Sequence, residues 1–308
     1  MSAVDDAAAA LGERVRRDVP IGALTTYRVG GSAALFMKVE SEDDLAALRA
    51  AVAAAGVDIL VVGKGSNLLV ADDGFDGLAV ALGDAFEAIM IDGSTVTAGA
   101  AAALPVVARR TAAAALTGFE WAVGVPGSIG GAVRMNAGGH GSDMAATLTR
   151  VRVADLATGD DGWMVASALA LGYRSSSVTR AQLVVAAELA LTIGDRERSE
   201  AEITEIVRWR RENQPGGQNA GSVFTNPPGD SAGRLIDEAG CRGLRVGSAV
   251  VSDKHANFFI ADPGGRANDV RALMSVVRDR VRHTFGVQLE AETRLVGFAE
   301  NPGLEVES

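Results

Sequence analysis

A serine in the stretch N-A-G-S-V-F-T-N-P-P, residues 219–228, carries the first chemical question. The Ser222 hydroxyl could attack a substrate, give up a proton, or only pack. Attack needs a base that is itself held by an acid. No G-x-S-x-G elbow surrounds Ser222. Of the histidines His140, His255 and His283, the last lies in a late helical stretch and reads as surface. His255, in K-H-A-N, could serve as base, but nothing in the sequence orders an acid behind it. A serine hydrolase is therefore disfavoured, whereas a hydroxyl beside a developing carbanion can act as general acid. Arg174, in G-Y-R-S, has the planar fork that clamps a carboxylate or phosphate, although alone it reads as a surface arginine. In E-A-E-T-R, Glu290, Glu292 and Arg294 would share one face of a strand. Such a face is a solvated edge unless it looks into a cleft. R-W-R-R-E-N, residues 208–213, reads as a basic helix end facing the macrodipole, and is too short an alternation for RNA binding.

Glycine supplies the second signal. G-K-G-S-N, residues 63–67, follows a short apolar run and is either a phosphate-binding turn or a plain β-turn. G-V-P-G-S-I-G-G, residues 124–131, holds four glycines and no bulky polar group. It suits backbone pressed against a pyrophosphate, with a structural loop as the alternative. Neither stretch has the G-x-G-x-x-G or G-K-[ST] form, so neither a Rossmann nor an NTPase assignment follows. Two such loops suggest one large diphosphate ligand held from two sides.

These residues need a scaffold, and 308 residues allow two or three domains. Ser41 and the acids after it predict a helix to Ala55, stopped by Gly56. Residues 33–39 and 58–62 read as strands around it. Strands follow near 78–82, 88–91 and 94–98, with Asp92 and Gly93 as a hairpin turn. A helix is expected over 104–116, irregular structure over the glycine-rich 124–141, and strands near 149–155 and 183–192 around a short helix at 166–170. From Arg196 a new helix begins, and a domain boundary is placed there. The tail reads as strand 221–225, helix 231–239, strands 248–251 and 257–261, helix 268–284 and strand 291–298. This is an α+β unit.

Composition limits the partners. A formal net charge of −10 disfavours a nucleic-acid partner while leaving room for a small phosphate ligand. Cys241 is the only cysteine, which excludes an internal disulfide and a cysteine-cluster metal site; no metal is expected. The first residues lack a basic n-region, and no apolar run is long enough to span a bilayer. A cytoplasmic chain without membrane insertion is the expectation.

Taken in order, the pieces resemble the UDP-N-acetylenolpyruvylglucosamine reductases. They are T-T-Y-R-V-G-G (25–31), V-G-K-G-S-N-L-L-V (62–70), V-G-V-P-G-S-I-G-G-A (123–132), M-N-A-G (135–138), G-Y-R (172–174), G-S-V-F-T-N-P (221–227), K-H-A-N-F (254–258) and L-E-A-E-T-R (289–294). Each is weak alone; in register they are specific. The resemblance implies an α+β fold. A two-subdomain FAD-binding region of the vanillyl-alcohol-oxidase (PCMH) type would span 23–192, divided near 83, after an N-terminal segment 1–22. A C-terminal substrate domain would span 193–300, followed by a tail 301–308. FAD would be bound non-covalently by Gly63, Lys64, Gly65, Ser66, Asn67, Leu68, Pro126, Gly127, Ser128, Gly130, Gly131, Ala132 and Arg294. NADPH would reduce the flavin and leave, and the UDP-linked enolpyruvyl sugar would take hydride from flavin N5 at C3. Arg174 and Glu292 would stabilise the charge developing at C2, Glu292 best as the neutral acid, and Ser222 would protonate C2. Tyr173 and Asn226 match substrate-contacting positions, and a monomer is expected.

Three departures are visible: Lys64 where Gly, Arg or Asn is common, Thr293 where Val is usual, and Asn213 where many members carry Lys. Ser222 follows Arg174 by 48 residues, too short for an inserted lid, so the chain resembles the lidless subclass. Two other readings stand beside this one: a flavoenzyme of the same flavin fold with another acceptor, and an inactive FAD- or nucleotide-sugar-binding protein.

Overall fold

A computed structural model describes residues 2–298. The chain divides into two compact units. The first comprises the chain up to Arg17, Leu35–Lys64 and Gly77–Arg210; the second comprises Asp18–Ala34, Gly65–Asp76 and the chain from Arg211.

The first unit holds helices α1 (Ala3–Leu11), α2 (Glu42–Ala55), α3 (Leu104–Ala113) and α4 (Ile129–Met135), and most of α5 (Arg196–Asn213). α2 starts where the Ser41 hydroxyl accepts from the Asp44 N–H at 3.1 Å, and stops where Gly56 turns left-handed at φ 63°. Its Leu45, Leu48, Ala51 and Val52 are buried at helical spacing. They pack under a sheet ordered Val15–Val19, Ala33–Val39, Phe75–Leu82, Ile59–Val61, of which the last two run parallel. A second sheet is ordered Asp161–Val165, Leu148–Asp155, Gln182–Ala190, Thr95–Gly99, Ile89–Asp92, with antiparallel neighbours throughout. It has its own core, including Val96, Val107, Phe119, Val133, Val151 and Leu189. The first unit thus holds two hydrophobic cores, one against each sheet.

Several expectations need correction. The glycine-rich 124–141 is not irregular throughout, because α4 occupies its middle. There Gly130 lies so close to Ala100 that a Cβ would sit 3.0 Å from the Ala100 Cβ. Packing against the neighbouring segment outweighs glycine's low helix propensity. The helix expected over 104–116 ends at Ala113, and Ala115 takes a left-handed φ of 56°. The hairpin turn is Gly93 and Ser94, since Asp92 still pairs with Thr95. Val15–Val19 and Asp161–Val165 are strands that the sequence did not announce; both lie at sheet edges and are largely exposed. The compact units part at Arg210 rather than near 193, because Ile203 and Ile206 of α5 are buried in the first unit's core.

The second unit holds α6 (Ala232–Glu238) and α7 (Ala267–Phe285), packed with a small antiparallel sheet ordered Arg245–Val246, Ala249–Val251, Phe259–Ala261. α7 buries the stripe Val270, Leu273, Met274, Val277 and Val281. The Asp72 carboxylate caps its start, accepting from the N–H groups of Ala267 at 2.9 Å and Asn268 at 3.2 Å. Cys241 is buried in this core, and burial pushes its thiol pKa up. The strand expected over 291–298 is reduced to Arg294–Val296, which pairs parallel with Leu68–Val70. The strand expected over 221–225 survives only as single bridges, Ser222 with Phe258 and Phe224 with Ala291. The described residues contain no helix long and apolar enough to cross a membrane and no cluster of three metal-ligating side chains.

Candidate active site

In the first unit the two glycine-rich stretches line one cleft. Gly63 and Lys64 face it from one stretch, Ser128, Gly130 and Gly131 from the other, with Arg134 beside them. A Cβ on Gly63 would stand 2.8 Å from the Ser128 hydroxyl, so a side chain there would crowd the space where the stretches meet. Bare backbone facing a cleft is what a diphosphate-bearing cofactor needs, and these residues fit one. Lys64 turns toward Glu87, with Nζ 2.8 Å from Oε1. Pro126 is exposed. The Gly127 carbonyl accepts from the Leu104 N–H at 3.0 Å, and Ala132 is buried in the core, so these two are structural neighbours of the cleft.

Arg174 also belongs to the first unit. It sits beside Tyr173 at the tip of a tight turn closed by Gly172 N–H to the Ser175 carbonyl, 3.0 Å, and the reverse bond, 3.3 Å. Its φ is 55°, a left-handed conformation that a non-glycine residue adopts at a cost. Its Nη2 donates to the Gly138 carbonyl at 3.0 Å, and the guanidinium lies 5.3 Å from the Tyr173 ring centre. Tyr173 is 61% exposed. Asn136 holds the turn from below. It is buried at the left-handed end of α4, and its amide nitrogen donates to the Gly172 carbonyl at 2.8 Å and to Asp143 at 3.2 Å. Its oxygen accepts from the Ala145 N–H at 2.9 Å.

In the second unit Ser222, Glu292, Arg294 and Asn67 come together through backbone bonds. Gly221, at φ 77°, makes the turn that delivers Ser222. One residue on, the Val223 carbonyl accepts from the Glu292 N–H at 2.8 Å. The Asn67 amide donates to the Glu292 carbonyl at 3.1 Å, and the Asn67 carbonyl accepts from the Arg294 N–H at 3.0 Å. Ser222, Glu292 and Arg294 are all half-buried. The alternation that put Glu290 on the same face is not realised by a strand, since residues 290–293 are irregular and Glu290 is exposed. Gly65 is buried rather than displayed: its φ is 63°, a Cβ would overlap the Leu24 carbonyl, and its own carbonyl accepts from the Thr26 N–H at 3.1 Å. It docks the T-T-Y-R-V-G-G piece. Ser66 and Leu68 are half-buried, Leu68 as the first residue of the strand paired with Arg294–Val296. Asn226 is exposed, and its oxygen accepts from the Ala232 N–H at 3.0 Å, at the start of α6.

His255 is not set up as a free base. Its Nδ1 accepts from the Asn257 N–H at 3.2 Å, and burial, with the nearby Arg242, holds its pKa below the usual range. Reading the sequence gave no role to Arg134, Asn136 or Asn257. Asn136 had a signal, because asparagine commonly closes a helix in the left-handed conformation. Asn257 had none beyond its place in K-H-A-N-F.

Comparison with known proteins gives consistent relatives. The C-terminal domain of UDP-N-acetylenolpyruvoylglucosamine reductase matches residues 213–296, and an FAD binding domain matches residues 33–161. A UDP-N-acetylenolpyruvoylglucosamine reductase of Heliobacterium modesticaldum is 43% identical over 90% of this chain and 89% of its own length. One from Anaeromyxobacter sp. strain K is 41% identical over 94% of this chain and 88% of its own. The crystal structure of the reductase from Thermus caldophilus superposes with a TM-score of 0.81 at 36% identity, covering 92% of this chain and 99% of that one.

Proposed function

The chain belongs to the UDP-N-acetylenolpyruvoylglucosamine reductase family, and from that premise we propose that it reduces the enolpyruvyl group of UDP-N-acetyl-3-O-(1-carboxyvinyl)-glucosamine to the lactyl ether of UDP-N-acetylmuramate. It does so in peptidoglycan synthesis, as a cytoplasmic monomer of the lidless kind. FAD, held non-covalently and reduced by NADPH, supplies the hydride from N5. Everything else falls to side chains. As C3 takes the hydride, the double-bond electron pair passes to C2 and into the carboxylate. The Arg174 guanidinium answers that charge. Glu292 answers it as the neutral acid, donating a hydrogen bond where a carboxylate would repel. The Ser222 O–H bond breaks as the C2–H bond forms, and Ser222 recovers its proton from water. A serine hydroxyl is a weak acid, so its proton moves only to a strong carbon base, which this intermediate is. Tyr173 and Asn226 contact the nucleotide sugar. Gly63, Gly130 and Gly131 would leave room for the diphosphate of FAD, and Arg294 would help to hold the cofactor.

The observation that carries this reading is the bond from the Glu292 N–H to the Val223 carbonyl, 2.8 Å, which ties the proposed acid to the backbone one residue from the proposed proton donor. The test separates the half-reactions. Ser222→Ala should be reduced by NADPH at the wild-type rate, while reoxidation by the enolpyruvyl sugar slows by about 10²–10⁴, the usual loss of a positioned general acid. Equal slowing of both halves would make Ser222 a structural or flavin-binding residue.

A further inference from the structure

Asn257 is 2% exposed and cannot reach a substrate. Its side chain nonetheless lies two residues from Ser222 along the bonded backbone. The Asn257 Oδ1 accepts from the Phe224 N–H at 3.0 Å, and its Nδ2 donates to the Phe224 carbonyl at 2.7 Å. The Asn257 main-chain carbonyl accepts from the Val223 N–H at 2.9 Å. One residue thus engages both polar groups of Phe224 and the next N–H toward Ser222. No regular strand holds this segment, since Ser222 and Phe224 make only isolated bridges. A primary amide presents one donor edge and one acceptor edge, as a peptide does, and here it replaces the missing strand neighbour.

On its other side the same segment is bound to residues 290–292. The Glu292 N–H donates to the Val223 carbonyl at 2.8 Å and the Thr225 N–H to the Glu290 carbonyl at 2.9 Å. Asn257 therefore holds the segment against the chain that carries Glu292. Its own orientation is fixed: its N–H donates to His255 Nδ1 at 3.2 Å, and the Phe258 N–H donates to the His255 carbonyl at 3.0 Å. The amide cannot be flipped, because that would set oxygen against the Phe224 carbonyl and nitrogen against its N–H.

We infer that Asn257 is the positioning residue for Ser222: it sets the backbone from which the hydroxyl reaches the carbon to be protonated, without touching the reacting atoms. This inference rests on the reading of Ser222 as proton donor. The requirement is strict, because a proton donor must be held within about 0.5 Å of its productive position. Leucine has the shape of asparagine and neither polar edge. Aspartate keeps the acceptor for the Phe224 N–H but turns an oxygen toward the Phe224 carbonyl.

The test is a double-mutant cycle of Asn257→Asp and Ser222→Ala in the FAD-loaded enzyme, with anaerobic NADPH reduction, flavin dissociation constant and reoxidation by the enolpyruvyl sugar measured for each. Asn257→Asp should bind flavin and be reduced by NADPH as the wild type is, yet reoxidise about 10²-fold more slowly, the loss expected for a displacement of roughly 1 Å. The double variant should be no slower than Ser222→Ala alone. Independent, additive losses, or equal slowing of NADPH reduction, would overturn the inference and make Asn257 a general brace of the fold. If Ser222→Ala itself reoxidises normally, the proton-donor reading fails instead. Should the aspartate variant not retain flavin, Asn257→Ser, which keeps a shorter donor and acceptor, replaces it in the cycle, and the same outcomes support or overturn the inference.

Discussion

Thr293→Val should make this protein more stable, and the size of the gain can be worked out. Thr293 stands between Glu292 and Arg294 and is 0% exposed. Its backbone N–H lies 3.3 Å from the Val223 carbonyl, but its hydroxyl finds no hydrogen-bond partner among the described residues. Leaving a buried hydroxyl unpaired costs about 1–3 kcal/mol. Valine puts a methyl in nearly the same volume, and burying a group of that size is worth about 0.8 kcal/mol. Both side chains are β-branched, so the loss of χ1 freedom cancels. Allowing for hydration of the hydroxyl in the unfolded chain and imperfect fit, the net gain should be about 1–2 kcal/mol, or roughly 2–5 °C in the calorimetric Tm. The variant should keep wild-type flavin affinity and turnover, since neither neighbouring charge is altered. A Tm at or below wild type, or weaker flavin binding, would refute the reasoning: the hydroxyl would then have a partner, in protein or cofactor, worth more than a methyl.

Gly63→Val should fold with a near-wild-type Tm in the apo form yet bind FAD at least about tenfold more weakly, read by flavin fluorescence, because the branched side chain enters the cleft beside Ser128. Asn136→Leu removes the amide that braces the turn carrying Arg174; reoxidation by the enolpyruvyl sugar should slow by roughly 10–100-fold in stopped flow, with NADPH reduction unchanged. Glu120 is 4% exposed, and burial pushes its carboxyl pKa up, but donors from Ser199, at 2.6 Å, Thr117 and the backbone bring it below the usual range. A folded pKa below the unfolded value contributes stability that is complete above about pH 4.5 and is lost as pH falls through the folded pKa. Urea unfolding should therefore show Ser199→Ala costing about 1–3 kcal/mol at pH 7 and less at pH 3; an equal cost at both would refute it.

Local grammar carried much of the fold. The Ser41 cap, the Gly56 stop and the apolar spacing between them specify α2 almost to the residue, because cap, propensity and burial agree. α7 is legible through the periodicity of its buried stripe, although its start is capped from a distance in sequence by Asp72. What stayed hidden was set by partners distant in sequence. α4 carries two glycines and forms because its neighbours pack tightly, which composition does not show. Asp161–Val165 and Val15–Val19 are exposed edge strands without a hydrophobic signature. At the proposed site, motif order pointed to Arg174, Ser222 and Glu292, but Asn136, which braces the turn carrying Arg174, and Asn257, which braces the backbone after Ser222, look in sequence like ordinary turn residues. Gly65 shows the converse: read beside Gly63 as part of one phosphate turn, it is buried against residues 24–26.

The central claim is that this chain moves a hydride to C3 and a solvent-derived proton to C2 of an enolpyruvyl nucleotide sugar. The direct measurement is anaerobic reoxidation of the NADPH-reduced, FAD-loaded protein by that sugar in D₂O, followed by flavin absorbance and by NMR of the product. The expected result is stoichiometric return of the oxidised flavin spectrum and deuterium at C2 of the lactyl group. A flavin that stays bleached until oxygen is admitted, or a product without solvent deuterium at C2, would contradict it.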